Sequence, residues 1–134
     1  MSEEIEIIPL EKKEDERGWL MEILKKGQLS KKEFGQFFVT TAKPGKVKGN
    51  HYHLGHDEFF CVIKGKGKLV MKHIETGETK KLEIGEGNMI TVKITPKWSH
   101  GIKNIGKDEM FLLAYSDAEF DEKKPDTFRE VVIE

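Results

Sequence analysis

The sequence predicts an all-β fold, and three observations carry that prediction. Turn marks recur at near-regular intervals after Pro44-Gly45: Lys64-Gly65-Lys66-Gly67, Glu75-Thr76-Gly77, Gly85 to Gly87, Thr95-Pro96 and Asn104-Ile105-Gly106. The segments between them have strand length, and short strands at a spacing of about 8–12 residues suit a sandwich or barrel. No stretch keeps a helical period. With 134 residues the chain can bury one sizeable core and not two, so residues 1–134 are expected to form one domain. Residues 1–14 read as an N-terminal strand and charged segment, and 15–134 as the core domain.

Taken in order, Ile5 and Ile7 alternate with acids up to Pro9. This predicts a short edge strand, since Pro9 has no N–H to give to a ladder. Glu14 to Gly18 is a charged turn that feeds an apolar stretch from Trp19 to Leu24. Phe34 to Thr41 predicts a strand from its aromatic and β-branched residues, closed by the turn at Pro44-Gly45. Further strands are predicted over Glu58 to Lys64, Lys68 to Ile74, Lys80 to Ile84, Met89 to Ile94, His100 to Lys103 and Met110 to Ser116. Asp117 to Pro125 is charged and turn-like, and Phe128 to Ile133 predicts a last strand.

Composition narrows the function classes. Lys and Arg number 23 against 24 Asp and Glu, a net charge of -1, so no global field favours a nucleic acid polymer or a membrane surface. The single cysteine, Cys61, excludes an internal disulfide. The opening residues lack the basic start and apolar run of a signal peptide, and no segment has membrane-spanning length. A cytoplasmic protein is the resulting expectation.

The chemistry concentrates in one stretch. His51 and His53 are two apart, so on a strand they share a face while Tyr52 points away. Glu58 opens the strand after the turn at Leu54 to Asp57 and can fold back beside them, and His100 follows Pro96 at another strand start. Three imidazoles and one carboxylate suit one divalent ion of Zn, Mn, Fe, Ni or Co, and suit Ca or Mg poorly because those prefer oxygen shells. Isolated His-x-His pairs are commonly structural; the set of four in an all-β context favours a metal centre.

Other residues read two ways. His56, in the turn between ligands, is either a solvent-exposed loop histidine or a partner of the site that supports a ligand or acts as acid/base. His73 shares its strand face with Leu69 and Met71 and reads as a core or interface residue. Cys61 lies on the strand face opposite Glu58 and reads as packing, not as a nucleophile. Lys43, Lys46, Lys48 and Lys97 are either surface residues or contacts for a substrate phosphate.

The spacing Gly45, five residues, His51-x-His53, four residues, Glu58, six residues, Gly65 resembles the first motif of the cupin family. Gly85 or Gly87, Pro96, His100 and Asn104 resemble the second, with Lys97 where that motif usually has glycine. The resemblance implies a single-domain cupin jelly-roll β-barrel with His51, His53, Glu58 and His100 as metal ligands. Asp15-Glu16-Arg17-Gly18-Trp19-Leu20 and Lys48-Gly49-Asn50-His51-Tyr52-His53 resemble the sugar-nucleotide epimerase and ketoisomerase branch. Phe120-Asp121 and Lys124 to Phe128 are similar to the end of the zinc-binding cupin domain of bifunctional capsular polysaccharide enzymes on the UDP-N-acetylfucosamine route. The likeness runs from Asp15 to Val132.

That branch implies an epimerase or isomerase acting on a nucleotide-linked 4-keto-6-deoxy sugar in surface polysaccharide biosynthesis. It further implies a homodimer, with the Ile5 to Leu10 strand as a contact, and a separate reductase as pathway partner. In the metal-independent 3,5-epimerases of the branch, the position resembling His51 is the base and that resembling His53 is usually glutamine. The presence of His53, Glu58 and His100 together assigns His51 to the metal here. Tyr115 is near those epimerases' general acid and is a catalytic candidate with His56; Lys46, Lys48 and Lys97 are the substrate-binding candidates. The alternatives are a cupin sugar-phosphate isomerase, an iron dioxygenase, and a metabolite-binding cupin without catalysis.

Overall fold

The structure is a computed structural model that describes residues 4–134. Of the acids that precede Ile5, only Glu3 lies outside the described residues. The strands, in chain order, are β1 Glu6–Pro9, β2 Lys13–Asp15, β3 Gly18–Leu20, β4 Gln36–Ala42, β5 Val47–Tyr52 and β6 Glu58–Lys64. They continue as β7 Lys66–His73, β8 Thr79–Gly85, β9 Ile90–Ile94, β10 Trp98–Asn104, β11 Met110–Ser116 and β12 Phe128–Arg129. The one helical piece among the described residues is a 3-10 turn at Lys26–Gln28.

Two five-stranded antiparallel sheets, ordered β1-β9-β6-β11-β4 and β12-β5-β10-β7-β8, make a cupin-type jelly roll. Phe60, Val62, Leu69, Met71, Ile84, Val92, Ile94, Ile102 and Leu112 are buried together as its main core. Each such side chain contributes about 1.5–3 kcal/mol when fully withdrawn from water. β1 is a sheet edge, as Pro9 predicts, and pairs with β9.

β6 is buried almost throughout because both of its faces are covered. Phe60 and Val62 face the main core. Phe59 faces the other way, into a smaller cluster with Ile8 and Tyr115 that Leu10, Leu24 and Leu29 cover. The segment carrying those leucines crosses the outside of the first sheet and is tied to it by the Thr91 hydroxyl, which donates to the Ile23 carbonyl at 2.7 Å.

One apolar stretch forms strand only in part, and one predicted strand comes out shorter. Within Trp19 to Leu24 only the first residues form a strand, β3, in a hairpin with β2 that leaves Trp19 and Leu20 exposed. The last strand pairs with β5 only at Phe128 and Arg129. Beyond them a side chain takes over from the ladder: Asn50 accepts from the Val132 N–H at 2.9 Å and donates to the Ile133 carbonyl at 2.9 Å. No helix among the described residues is long and apolar enough to cross a membrane.

Candidate metal centre

β5 reaches the site through a bulge. His51 pairs with His100, yet Gly49 pairs with Gly101, so Asn50 is an extra residue on β5. Gly49 and Asn50 both have positive φ, 94° and 60°. A Cβ on Gly49 would meet the His100 carbonyl oxygen at 2.8 Å, so only glycine lets the two strands approach here. The bulge turns Asn50 away towards the C-terminal residues and sets the His51 ring 4.9 Å from that of His100.

His53 lies just past β5, and its carbonyl is held by the Lys97 N–H at 2.8 Å. Its ring donates from Nδ1 to the Asp126 carbonyl at 2.6 Å and turns Nε2 to Glu58 Oε1 at 2.7 Å. His100 repeats the arrangement: Nδ1 donates to the Trp98 carbonyl at 3.0 Å, and Nε2 faces the same Glu58 oxygen at 3.1 Å. A carbonyl can only accept, so both rings carry a proton on Nδ1 and direct Nε2 at the centre, as metal-ligating histidines do. One donor atom from each of His51, His53, Glu58 and His100 lies within 4.8 Å of every other.

The electrostatics agree with a centre built around positive charge. Burial pushes the Glu58 carboxyl up, but its bonds to His100 and His53 outweigh this and hold it far below the usual carboxylate range. For His53, burial acts downward, and the hydrogen bond and charge of Glu58 outweigh it, so its pKa is raised. His51 is pushed down to about 4 by burial and by the neighbouring His100 and His53. A carboxylate oxygen facing two imidazole nitrogens needs cationic charge between them, supplied either by extra protons or by an ion. Three nitrogens and a carboxylate fit a Zn-class divalent ion.

The group opens into a cavity of about 420 Å³ whose walls include Phe38, Phe60, Ile102 and Leu112. His56 lines it too, its ring 4.1 Å from that of His53 and its Nδ1 2.9 Å from Asp126 Oδ2. Burial and the adjacent His53 lower its pKa, with Glu58 and Asp126 acting the other way. Of the two readings of His56, the structure favours the partly buried one with a fixed partner.

The remaining candidates separate. Lys48 lines the cavity. Lys46 is exposed in the turn after Pro44, outside the cavity lining, and Lys97 pairs with Glu75 at 3.1 Å. Tyr115 is not brought to the group. β11 places Ser116 beside Glu58 and Tyr115 beside Phe59, so the Tyr115 ring faces the outer cluster, where its hydroxyl accepts from the Gly35 N–H at 2.8 Å. The cause is strand alternation, which puts neighbours on opposite faces. His73 is buried and accepts at Nδ1 from the Glu75 and Thr76 N–H groups. Burial raises the Cys61 thiol to about 11, which leaves it inert at neutral pH.

Sequence reasoning assigned no role to Asp126 or Lys124, both of which line the cavity. Both lie inside the Lys124 to Phe128 stretch, but neither has a local pattern that marks it.

The profile of the polysaccharide biosynthesis C-terminal domain matches residues 13–128. The chain belongs to this family. The chain is 35% identical over 114 residues to the UDP-2-acetamido-2,6-beta-L-arabino-hexul-4-ose reductase of Pseudomonas aeruginosa, covering 85% of this chain and 29% of that protein. The crystal structure of the capsular polysaccharide assembling protein CapF of Staphylococcus aureus superposes with a TM-score of 0.71 at 31% identity, covering 92% of this chain and 35% of that one. The chain thus spans about a third of the length of these two relatives. The dTDP sugar isomerase of Desulfovibrio desulfuricans has a TM-score of 0.84 at 18% identity, over 93% of this chain and 82% of that one, which shows a common fold.

Proposed function

We propose that the chain is a metal-dependent epimerase or isomerase of a nucleotide-linked 4-keto-6-deoxy sugar in surface polysaccharide biosynthesis. The observation that carries this reading is the joint placement of the His51, His53, Glu58 and His100 group and the His56–Asp126 pair on one apolar-walled cavity. The names of the relatives, a UDP-sugar reductase and a capsular polysaccharide protein, support the substrate class.

In this reading His51, His53, Glu58 and His100 hold one divalent ion, zinc foremost. When bound, the ion supplies positive charge that favours an oxyanion at the ketone. His56 is the base: with Nδ1–H donated to Asp126, its Nε2 lone pair is free to take a proton from the carbon beside the ketone. The C–H electrons pass into the enolate, and return of a proton to the other face or to a neighbouring atom completes epimerisation or isomerisation. Phe38, Phe60 and Leu112 exclude water from the reacting carbons, and Lys48 with Lys124 meets the diphosphate. Tyr115 has no part in this scheme.

Reduction of the product falls to a reductase, the pathway partner that the resemblance implies. A homodimer is proposed as well, supported by the apolar outer face at edge strand β4, where Phe34, Phe37 and Val39 are exposed. The test is deuterium uptake from heavy water into UDP- or dTDP-4-keto-6-deoxy sugars by metal-loaded protein. Exchange at a carbon next to the ketone supports the reading. No exchange with any such substrate, or interconversion of sugar phosphates in its place, would overturn it.

A further inference from the structure

We infer that Asp126 is a positioning residue that sets the ligand geometry of His53 from outside the metal group. The inference rests on the reading of His53 as a ligand. The turn between β5 and β6 has no ladder of its own, and Leu54 within it is exposed. One residue holds it at four consecutive positions. The Asp126 carbonyl accepts from His53 Nδ1–H at 2.6 Å, and Oδ1 accepts from the Leu54 N–H at 2.9 Å. Oδ2 accepts from the Gly55 N–H at 2.7 Å and from His56 Nδ1–H at 2.9 Å.

The fit is close: a Cβ on Gly55 would stand 3.3 Å from Asp126 Oδ2. Charge-assisted bonds from two successive backbone N–H groups are stronger than neutral ones, and here they fix the peptide that follows His53. The carbonyl of the same residue then fixes the ring, leaving Nε2 aimed at Glu58. Side chain and main chain of Asp126 therefore act on one imidazole by two routes. Removing the carboxylate frees the turn, shifts the carbonyl, and lets the His53 ring rotate away from the centre. A carboxylate that merely fastened the C-terminal segment would cost stability without changing metal affinity.

The experiment uses the full chain as wild type, Asp126→Ala, Asp126→Asn and a stability control, Ile84→Val, placed in the core on β8 at the sheet edge remote from β5. Zinc affinity is read by competition with a chromophoric chelator, and exchange of the Leu54 and Gly55 amides is read by NMR on metal-free protein. The expected result is a loss of about 10–100-fold in zinc affinity for Asp126→Ala, a smaller loss for Asp126→Asn, and none for Ile84→Val. Both amides lose protection in Asp126→Ala, one of them also in Asp126→Asn, whose side chain keeps a single acceptor oxygen, and neither in Ile84→Val. Wild-type zinc affinity in Asp126→Ala, or unchanged amide protection, overturns the inference. Wild-type protein that binds no divalent ion would overturn the metal reading itself, and the amides would still report whether Asp126 holds the turn.

Discussion

The backbone N–H of Lys97 is bonded to the carbonyl of His53 at 2.8 Å, and Lys97 makes that bond from a left-handed conformation, φ 73°. The second cupin motif, which this segment resembles, usually has glycine at this position, and the lysine keeps glycine's backbone. A side chain in that region costs about 1–2 kcal/mol, more when it is β-branched. Lys97→Gly is therefore expected to hold or raise the urea midpoint and to keep metal affinity. Lys97→Val should lower stability by about 1–2 kcal/mol. A Val variant as stable as wild type would show that the turn relaxes out of the left-handed region.

Metal binding should release protons. The raised pKa of His53 means that the metal-free protein keeps a proton on Nε2 at pH values where an ordinary histidine has begun to lose it. An ion at Nε2 must displace that proton. Apparent affinity should rise with pH until the His53 pKa is passed and then level. His51, pushed down to about 4, adds no dependence in the neutral range. Calorimetric titrations in buffers of different ionisation heat measure the release directly; heats independent of buffer at neutral pH would contradict the prediction.

His53→Ala should abolish metal retention through gel filtration, because it removes a donor nitrogen and leaves Glu58 with one imidazole partner. Metal analysis of the purified variant gives the answer. A full equivalent of ion would remove His53 from the ligand set.

Tyr115→Phe should leave proton exchange with substrate unchanged and lower stability by about 1–2 kcal/mol, since the Gly35 N–H loses its acceptor. A large fall in exchange rate at unchanged stability would return Tyr115 to the reacting atoms.

Much of the fold could be read because strands leave local marks. Met110–Ser116 is the strand that its apolar run predicts, and Glu58 opens β6 as its place after the turn suggests. Trp19 to Leu24 could be read only as an apolar stretch, because apolar composition alone cannot tell a sheet strand from a covering segment. The grouping of His51, His53, Glu58 and His100 was visible as spacing, but its route was not. The two histidines converge through a bulge at Asn50 and a turn after Tyr52, not along one straight strand. Strand parity decides the direction of Tyr115, and parity depends on which face of β11 meets the other sheet. The four bonds of Asp126 join residues seventy or more positions apart, a separation that no local pattern records.

The Asn50 side chain is satisfied by Ile133, 83 positions later. On the ribosome, the bulge that aims His51 must wait for Val132 and Ile133 to emerge, some eighty positions after Asn50 itself. Until then Asn50 has no partner, and the strand carrying His51 is free to slip by one residue and turn its histidines outward. The nascent chain can therefore gather its apolar core before the His51 group is fully assembled, since every core strand through β11 precedes Val132 and Ile133 in synthesis.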